Sequence, residues 1–321
     1  MEITFLGTSS GTPTRTRNVS AAALRLVGSR DWQLIDCGEA TQHRLLATPY
    51  SLRTLSAIFI THVHGDHCYG LPGLLASAQM AGRSEPLTIV GPAGIRQFVE
   101  AVAQHTELYL GYEIQWLLPE EAHLAQTGSG LKVQSVPLSH RVESFAYRFT
   151  EPEQAPQLLH EKLMAEGVPP GPLWAQIKAG KDVTLPDGRV LQASDFQAAA
   201  RRPRSVIISG DNDDPSRLTT ACDGTDVLVH EATYTQAVLE KVGAGPQHCS
   251  AERIARFASQ VGLPNLVLTH FSPRYQDSAD ATTSIEEIRQ EAAAHYHGRL
   301  SLACDYASYR LDRDGVLSVQ A

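Results

Sequence analysis

The segment 62–67, which reads His-Val-His-Gly-Asp-His, constrains this chain more than any other because it places four strong metal ligands within six residues. It follows the apolar run 57–61, which is typical of a buried strand. On an extended backbone His62 and His64 point to the same side, and Gly65 permits a turn that aims the last two ligands at a neighbouring position. Imidazoles and a carboxylate suit Zn²⁺ or a similar metal ion. Four ligands from one short segment fit two adjacent ions more readily than one.

Three further strand-like runs, 132–139, 205–210 and 265–269, each end at another ligand. These ligands are His140, Asp211 and His270. Open α/β sheets bind ligands beyond the carboxyl ends of their strands, so all of these groups are expected at one edge. Taken alone, a histidine at a strand end is also typical of an ordinary polar position. Together with the segment 62–67, however, these residues favour the metal hypothesis. We predict that His62, His64 and His140 hold one ion, that Asp66, His67 and His270 hold another, and that Asp211 bridges the two with its two oxygens.

Hydrophobic periodicity predicts an α/β fold. Strands are expected near residues 2–6, 20–27, 32–36, 55–60, 87–90, 111–118, 131–138, 144–149, 205–209, 226–230, 265–269, 299–303, 307–312 and 315–319. Helices are expected near residues 39–47, 68–79, 92–104, 214–222, 250–262 and 282–296. This order suggests two mixed sheets covered by helices on both sides.

The ligand pattern resembles the metallo-β-lactamase superfamily of hydrolases, and further segments resemble ribonuclease Z within it, most closely the short bacterial form that is also called ribonuclease BN. These segments are 5–8 (Phe-Leu-Gly-Thr), 13–18 (Pro-Thr-Arg-Thr-Arg-Asn), 36–42 (Asp-Cys-Gly-Glu-Ala-Thr-Gln), 69–74 (Tyr-Gly-Leu-Pro-Gly-Leu), 167–172 (Gly-Val-Pro-Pro-Gly-Pro), 209–211 (Ser-Gly-Asp), 230–233 (His-Glu-Ala-Thr) and 303–306 (Ala-Cys-Asp-Tyr). The resemblance implies a metallo-β-lactamase-like four-layer αββα sandwich with a projecting arm.

The resemblance also implies a zinc-dependent endoribonuclease that cleaves the 3′ trailer from precursor tRNA after the discriminator nucleotide. It would leave a 3′-hydroxyl on the tRNA and a 5′-phosphate on the trailer. Two Zn²⁺ ions per chain are expected, although Mn²⁺ or Co²⁺ fits the same ligands. The family resemblance further predicts a homodimer, and no other protein partner is expected.

Three residues receive catalytic roles from this resemblance. Asp66 is expected to be both a metal ligand and the acceptor of the proton of the attacking water. His248 is the candidate donor of a proton to the leaving 3′ oxygen, with Glu231 orienting it. Without the resemblance, His248 is better interpreted as a loop histidine that caps the helix predicted from residue 250.

Residues 151–200 interrupt the pattern of a single domain that otherwise runs through residues 1–321. Their proline and glycine content favours a projecting, hairpin-like excursion. By resemblance they form the flexible arm, or exosite, that grips tRNA, and a disordered surface loop is the alternative. The segment has four basic and seven acidic residues, so RNA contacts must come from a local cluster, which we assign to Lys178, Lys181 and Arg189.

The segment 13–18 resembles a family loop that senses the nucleotides after the cleavage point, which makes Arg15, Arg17 and Asn18 candidate RNA-binding residues. Arg15 stands where the family has lysine. Arginine keeps the charge but prefers forked phosphate contacts, so discrimination against a mature CCA end is expected to differ.

Composition agrees with a soluble cytoplasmic enzyme. The net charge of −8 argues against a general nucleic-acid coating protein. An enzyme that binds RNA must then concentrate its positive charge in a local patch. Five scattered cysteines indicate neither a zinc knuckle nor a disulfide framework. The chain has no apolar stretch long enough to cross a bilayer and no basic leader at its start, so no membrane association is predicted.

The metal ligands alone leave a second hypothesis open, a small-molecule metallo-hydrolase that acts on a phosphodiester, thioester or sulfate ester. Activated water serves each of these reactions equally well. The features that separate the two hypotheses are the insertion 151–200 and the loop 13–18, because a small-molecule enzyme needs neither.

Overall fold

Two large β-sheets dominate this computed structural model, which describes residues 1–153, 156–278 and 281–320. Within these ranges the strands, in chain order, are β1 Glu2–Gly7, β2 Ala21–Arg25, β3 Trp32–Ile35, β4 Leu55–Phe59, β5 Leu87–Val90, β6 Ile114–Leu117, β7 Lys132–Pro137, β8 Phe145–Thr150, β9 Gln157–Leu158, β10 Val183–Thr184, β11 Val190–Leu191, β12 Gln197–Ala198, β13 Ser205–Ser209, β14 Val227–Glu231, β15 Asn265–Thr269, β16 Arg299–Leu302, β17 Ser308–Leu311 and β18 Leu317–Gln320. Each strand of the two large sheets coincides with one predicted from hydrophobic periodicity, to within a few residues.

Helices cover the sheets. The α-helices are α1 Thr41–Leu45, α2 Gly65–Cys68, α3 Leu71–Met80, α4 Ala93–Thr106, α5 His160–Ala165, α6 Pro172–Lys178, α7 Thr219–Cys222, α8 Gln236–Val242, α9 Ala251–Gln260 and α10 Ile285–His295. Short 3₁₀ helices span Pro119–Leu124, Ala193–Phe196 and Pro215–Leu218. The helix predicted near 214–222 is therefore a 3₁₀ turn followed by α7. The helices α5, α6 and α8 and the 3₁₀ helices at Pro119–Leu124 and Ala193–Phe196 were not predicted.

Both sheets are mixed. In the described part of the chain the first has the order β18-β17-β1-β2-β3-β4-β5-β6, with parallel pairing from β3 to β6. The second has the order β16-β15-β14-β13-β8-β7, and β13 to β16 are parallel. Because parallel strands share one direction, the carboxyl ends of β13, β14 and β15 lie at one edge of the second sheet.

One hydrophobic core fills the space between the sheets. It includes Ile3, Phe5, Leu24, Phe59 and Val90 of the first sheet and Tyr147, Phe149, Val206, Val229 and Val267 of the second. The rings of Phe59 and Phe149 meet edge to face, 5.0 Å apart, across the two sheets. Burial of each such ring contributes about 1.5–3 kcal/mol to folding. Contact between the inner faces holds the two sheets, and the loops at their edges, in a fixed relation.

The outer faces pack against helices. Residues of α1, α3 and α4, among them Leu45, Leu74 and Val99, cover the first sheet. Residues of α9 and α10, such as Ile254 and Ile288, cover the second. The layers are therefore helix, sheet, sheet and helix, and the predicted αββα sandwich is confirmed.

The chain divides into two compact units, one formed by Met1–Thr150 with Arg204–Ala321 and the other by Glu151–Pro203. The second unit has its own small apolar core, which includes Leu163, Ile177 and Phe196. It contains the hairpin β10–β11 and the paired strands β9 and β12. The predicted arm, 151–200, falls within this unit, except that its residues 154 and 155 lie outside the described residues. None of the helices in the described ranges is both long and apolar enough to cross a membrane.

Candidate metal centre

Four loops, each directly after a strand, bring the predicted ligands together. β4 leads into the segment 62–67, and β7 leads to His140. β13 and β15, parallel strands of the second sheet, lead to Asp211 and His270. Because the sheets pack face to face, ligands from the first sheet meet ligands from the second at one edge of the sandwich.

The first group of ligand atoms comes from His62, His64, His140 and Asp211, and these atoms lie within 4.8 Å of one another. The Nδ1 atom of His64 is 3.1 Å from the Nε2 atom of His140. The Oδ2 atom of Asp211 is 3.6 Å from His62 Nε2 and 3.7 Å from His140 Nε2.

The second group comes from Asp66, His67 and His270, again with ligand atoms within 4.8 Å of one another. The Nε2 atoms of His67 and His270 are 3.3 Å apart, and His270 Nε2 is 3.3 Å from Asp66 Oδ2. The other oxygen of Asp211, Oδ1, faces this group at 3.6 Å from His67 Nε2 and 3.4 Å from His270 Nε2. Asp211 thus presents one oxygen to each group.

These separations match the spacing of ligands around a metal ion. A tetrahedral zinc site with bonds of about 2.0–2.1 Å has neighbouring ligand atoms about 3.3–3.4 Å apart. The tautomers agree, because the outward Nδ1 atoms of His62, His67, His140 and His270 contact oxygen acceptors. These partners are Thr61 Oγ1 for His62, Asp36 Oδ2 for His67, the Gln247 carbonyl for His140 and Thr233 Oγ1 for His270. A proton on each Nδ1 leaves the lone pair of each Nε2 directed into the centre.

His62 tests whether the residues fit a metal. Its side chain is fully buried, and its Nε2 atom has no hydrogen-bond partner in the part of the chain that the structure describes. A buried polar atom without a partner is costly, and a metal ion would satisfy this one. The imidazole and carboxylate donors also suit zinc and its neighbours in the transition series. The side chains at this edge form a metal-binding site.

Electrostatics at the centre favour positive charge. Burial lowers the pKa of His67, but the carboxylates of Asp66, Asp36 and Asp211 outweigh burial and raise that pKa to about 10. The pKa of Asp66 is lowered, because the effect of His67 and His270 exceeds that of burial. By contrast, burial, reinforced by neighbouring histidines, lowers the pKa of His62 well below its ordinary value. The acidic groups therefore favour a cation at the centre, whereas burial favours the neutral form of His62.

Asp36 supports the second group of ligands by contacting His67 on the side of its ring that faces away from the centre. Its carboxylate accepts hydrogen bonds from the Thr61 backbone N–H at 2.8 Å, from the Thr61 hydroxyl at 3.0 Å and from His67 Nδ1 at 2.7 Å. The residue adopts a left-handed backbone conformation with φ of 58°, which asparagine tolerates well.

We expect Asp36→Asn to weaken metal affinity by about 10- to 100-fold, because the charged acceptor that orients His67 is lost while the backbone conformation is retained. Titration with a competing chelator measures this affinity. The matched control is Asp31→Asn, a change at a partly exposed residue directly before the same strand. Equal metal affinity in the Asp36→Asn variant and the parent protein would show that Asp36 does not support metal binding.

His248 and Glu231 lie beside the ligands. His248 Nδ1 is 3.1 Å from Glu231 Oε2 and 3.7 Å from Asp211 Oδ2. Glu231 is buried and also accepts the backbone N–H groups of Asn212 at 2.7 Å and Cys249 at 3.1 Å. Burial lowers the pKa of His248, but Glu231 outweighs it and raises the pKa to about 9. The structure brings the predicted donor and its predicted orienting residue into contact.

The candidate RNA-binding residues differ from one another in exposure and in their partners. Arg15, Lys178 and Lys181 are exposed. Arg17 is buried in an ion pair with Asp277, and Arg189 pairs with both Glu166 and Asp187. The backbone N–H of Asn18 donates to Asp305 and its side-chain amide donates to the Glu39 carbonyl. Arg17, Arg189 and Asn18 therefore have structural partners, and their roles in RNA binding stay predictions.

Sequence reasoning overlooked the residues that orient the ligands. Thr61 contacts His62, and Thr233 contacts His270. The backbone N–H of Gly11 donates to Asp66 Oδ2 at 2.7 Å. Asp36 gave a usable signal, because it follows a buried strand just as the ligands do. Thr233 and the Gly11 amide gave none, since their partners His270 and Asp66 are remote in sequence.

Comparison with known proteins identifies the family to which this chain belongs. A family model described as "Anti-Pycsar protein Apyc1" matches residues 1–102. A ribonuclease Z of Marinobacter nauticus is 51% identical over 98% of this chain and 97% of its own length. A ribonuclease Z of Pseudomonas putida is 50% identical over 100% of each chain. This chain belongs to the ribonuclease Z family.

Solved structures agree with membership of the ribonuclease Z family. The crystal structure of human tRNase Z, short form, has a TM-score of 0.65 and 26% sequence identity, and the match covers 97% of this chain and 100% of the human chain. A metallo-beta-lactamase fold protein from Bacillus subtilis has a TM-score of 0.64 at 18% identity, with 96% and 98% of the two chains covered, which supports the fold alone. The resemblance to ribonuclease Z inferred from the sequence is confirmed.

Proposed function

We propose that this chain is an endoribonuclease that uses two zinc ions to cleave the 3′ trailer from precursor tRNA after the discriminator nucleotide. The observation that carries the proposal is Asp211, whose two oxygens face two separate sets of ligands in a member of the ribonuclease Z family. The small-molecule hydrolase is the weaker hypothesis, because the relatives that match the whole chain are named ribonucleases.

Charge balance supports two divalent ions. Four acidic side chains, those of Asp36, Asp66, Asp211 and Glu231, surround the centre. In the described part of the chain, no lysine or arginine forms an ion pair with any of them. Two divalent cations would offset the charges of Asp36, Asp66 and Asp211, while His248 pairs with Glu231. Two ions side by side also give every predicted ligand a partner.

The residues at the metal centre have different roles in the proposed reaction. When bound, the ions supply Lewis acidity toward the scissile phosphate and an activated water. Asp211 fixes the spacing of the two ligand sets, and the Gly11 N–H holds one oxygen of Asp66. The second predicted role of Asp66, acceptance of the proton of the water, stays a prediction.

His248 acts on the leaving group. With its Nδ1 proton donated to Glu231, the imidazole keeps a fixed orientation, and its Nε2 atom is free to hold a proton for the departing 3′ oxygen. Ribose oxygen is a poor leaving group and needs that proton, whereas a nitrophenolate does not.

We expect His248→Asn to reduce cleavage of precursor tRNA by about 10²–10⁴-fold, the usual contribution of a general acid. Loss of bis(4-nitrophenyl) phosphate hydrolysis should be at least tenfold smaller. Steady-state kinetics on both substrates, with metal content measured in parallel, checks this. His123→Asn, on an exposed 3₁₀ helix, is the control. Equal losses on both substrates would contradict proton donation and leave His248 a structural or metal-binding residue.

The insertion supplies the means to hold a large substrate. We assign tRNA binding to the unit Glu151–Pro203 and place the contacts at Lys178 and Lys181, which are exposed and have no acidic partner within the described ranges. Arg15, which is exposed on the other unit, is assigned a separate RNA contact. A homodimer in the cytoplasm completes the proposal, on the family resemblance alone.

Incubation of zinc-loaded protein with 5′-labelled precursor tRNA, followed by mapping of the product end, tests the function directly. The expected product ends at the discriminator with a 3′-hydroxyl and disappears when the metal is chelated. No cleavage, together with rapid turnover of a small ester, would favour the small-molecule hydrolase instead.

A further inference from the structure

The loop 8–18 contacts the metal centre directly. The backbone N–H of Gly11 donates a hydrogen bond of 2.7 Å to Oδ2 of Asp66, in the second group of ligands. The loop is also joined to the residue after another ligand of that group, because Phe271 donates its backbone N–H to the Thr8 carbonyl at 2.9 Å. An RNA whose scissile phosphate lies at the centre therefore passes close to this loop.

Within the loop, residues 14–17 form a turn whose two ends are hydrogen-bonded to each other. The Thr14 N–H donates to the Arg17 carbonyl at 2.7 Å, and the Arg17 N–H donates to the Thr14 hydroxyl at 2.9 Å. Threonine hydroxyls commonly stabilise turns in this way. Arg15 follows Thr14 in this turn, where it is exposed and forms no ion pair within the described ranges. The turn thus presents a cation to solvent beside the metal centre.

Asp277 holds this turn with both oxygens of its carboxylate. Its Oδ2 atom accepts the Thr16 hydroxyl at 2.5 Å, and its Oδ1 atom accepts the guanidinium of Arg17. That guanidinium is buried and lies over the ring of Phe271, 4.9 Å from the ring centre. Removing one partner of a buried ion pair leaves an uncompensated charge, which is costly. Asp277 therefore fixes the two residues that follow Arg15.

We propose that Asp277 is a positioning residue for the substrate, which holds the turn 14–17 so that Arg15 contacts a phosphate next to the scissile one. Arg17 then serves this anchor and has no contact of its own with RNA. The inference rests on the proposed function, because it takes the substrate to be RNA with its scissile phosphate at the metal centre. An arginine on a fixed turn loses less conformational freedom when it binds a phosphate, so the anchor raises affinity.

The charge of Asp277 separates this proposal from a simple charge effect. Asp277 is exposed, and the same loop contacts a second acidic residue, Asp305, which accepts the Asn18 N–H at 2.7 Å. Carboxylates near a bound RNA repel its phosphates, so removal of Asp277 would strengthen binding if only its charge mattered. Loss of an anchor has the opposite sign, because Arg15 is no longer held in place.

Asp277→Ala is expected to raise KM for precursor tRNA by about tenfold, as for a weakened contact to a charged group, with little change in kcat. Hydrolysis of bis(4-nitrophenyl) phosphate, which has no neighbouring phosphate for Arg15, should lose much less. Steady-state kinetics on both substrates, with metal content measured in parallel, checks this. The control is Asp314→Ala, which removes an exposed acid elsewhere in the same unit and should leave KM unchanged.

Thr16→Val tests the anchor without leaving a buried charge unpaired. It removes one of the two contacts of Asp277 and keeps the ion pair with Arg17. KM for precursor tRNA should rise by about 2- to 10-fold, the range for one lost hydrogen bond. An unchanged KM in this variant would show that the hydroxyl contact has no part in the anchor.

A double-mutant cycle shows whether Asp277 acts through Arg15. Arg15→Gln should reduce the slope of log binding constant against log salt concentration by about 0.7–0.9, the value for one phosphate contact. Asp277→Ala should reduce the slope to a similar extent, although it removes an acid and not a cation. In the Arg15→Gln background, Asp277→Ala should weaken binding no further, because the two residues act as one unit.

The outcomes that would overturn the assignment are distinct. Binding of precursor tRNA by Asp277→Ala that equals or exceeds that of the parent would leave only a charge effect. Additive losses in the cycle would show that Asp277 does not act through Arg15. Equal losses on precursor tRNA and the small diester would indicate a role at the metal centre. Failure of the parent enzyme to cleave precursor tRNA would overturn the proposed function instead.

Discussion

Replacement of Asp211 by alanine is expected to remove both metal ions and lower turnover by more than about 10³-fold. The reason is geometric. Each oxygen of Asp211 faces a different set of imidazoles, so loss of the side chain opens both coordination shells. Elemental analysis of the purified variant, together with precursor cleavage, measures the two effects.

His140→Ala is the matched comparison, because His140 belongs to only one of the two groups. It should lose one ion and keep the other. Thermal unfolding of each variant shows whether the fold survives. A full complement of two ions in Asp211→Ala, or loss of only one, would contradict the bridging position and indicate that the two sets assemble independently.

Removal of the insertion is expected to separate RNA cleavage from phosphodiester chemistry. Thr150 and Ser205, which flank the insertion, face each other as paired residues of β8 and β13. A two-residue Asn-Gly turn can therefore join these strands in place of residues 151–204. Cleavage of precursor tRNA should fall by at least about 100-fold, because a second binding region raises affinity by 10²–10⁴. Hydrolysis of bis(4-nitrophenyl) phosphate should change by no more than about twofold, since the ligands lie in the other unit.

The double substitution Lys178→Glu with Lys181→Glu tests the same contacts without shortening the chain. It should reproduce most of the loss on precursor tRNA if these lysines carry the binding. The control is Glu161→Gln, an exposed change in the same unit. Parallel loss of both activities in the shortened enzyme would count against a separate binding unit.

The metal centre was predictable from sequence because its ligands follow strands. An apolar run followed by His, Asp or His-x-His-x-Asp-His can be recognised locally in the sequence. Because binding sites of open α/β sheets lie beyond the carboxyl ends of the strands, these residues are expected at one edge of the sheet. Asp211 illustrates the strength of this reasoning, since its position between the two groups required only strand ends and the two oxygens of a carboxylate.

The ion pairs that Arg17 and Arg189 form with Asp277 and Glu166 were not predictable, because these partners are distant in sequence. Arg17 appeared free for RNA, yet it pairs with Asp277, 260 positions away. Arg189 is likewise held by Glu166. The buried Oδ1 atom of Asp213, which has no hydrogen-bond partner in the described part of the chain, is also invisible in the sequence, because its surroundings depend on how the loops pack. Periodicity detects elements and faces, but it does not detect which polar groups remain unpaired after packing.

The pairing of the first strand with one of the last has a consequence for folding during synthesis. β1 lies between β2 and β17, and Glu2 is the register partner of Arg310. While the chain is still emerging from the ribosome, one side of β1 has no neighbour, and an unpaired edge of this kind invites pairing with other chains. Completion of the first sheet therefore waits for residues near 310, and such distant pairing makes folding slow. Cells that produce this protein are expected to depend on chaperones during that interval, more than its final stability would suggest.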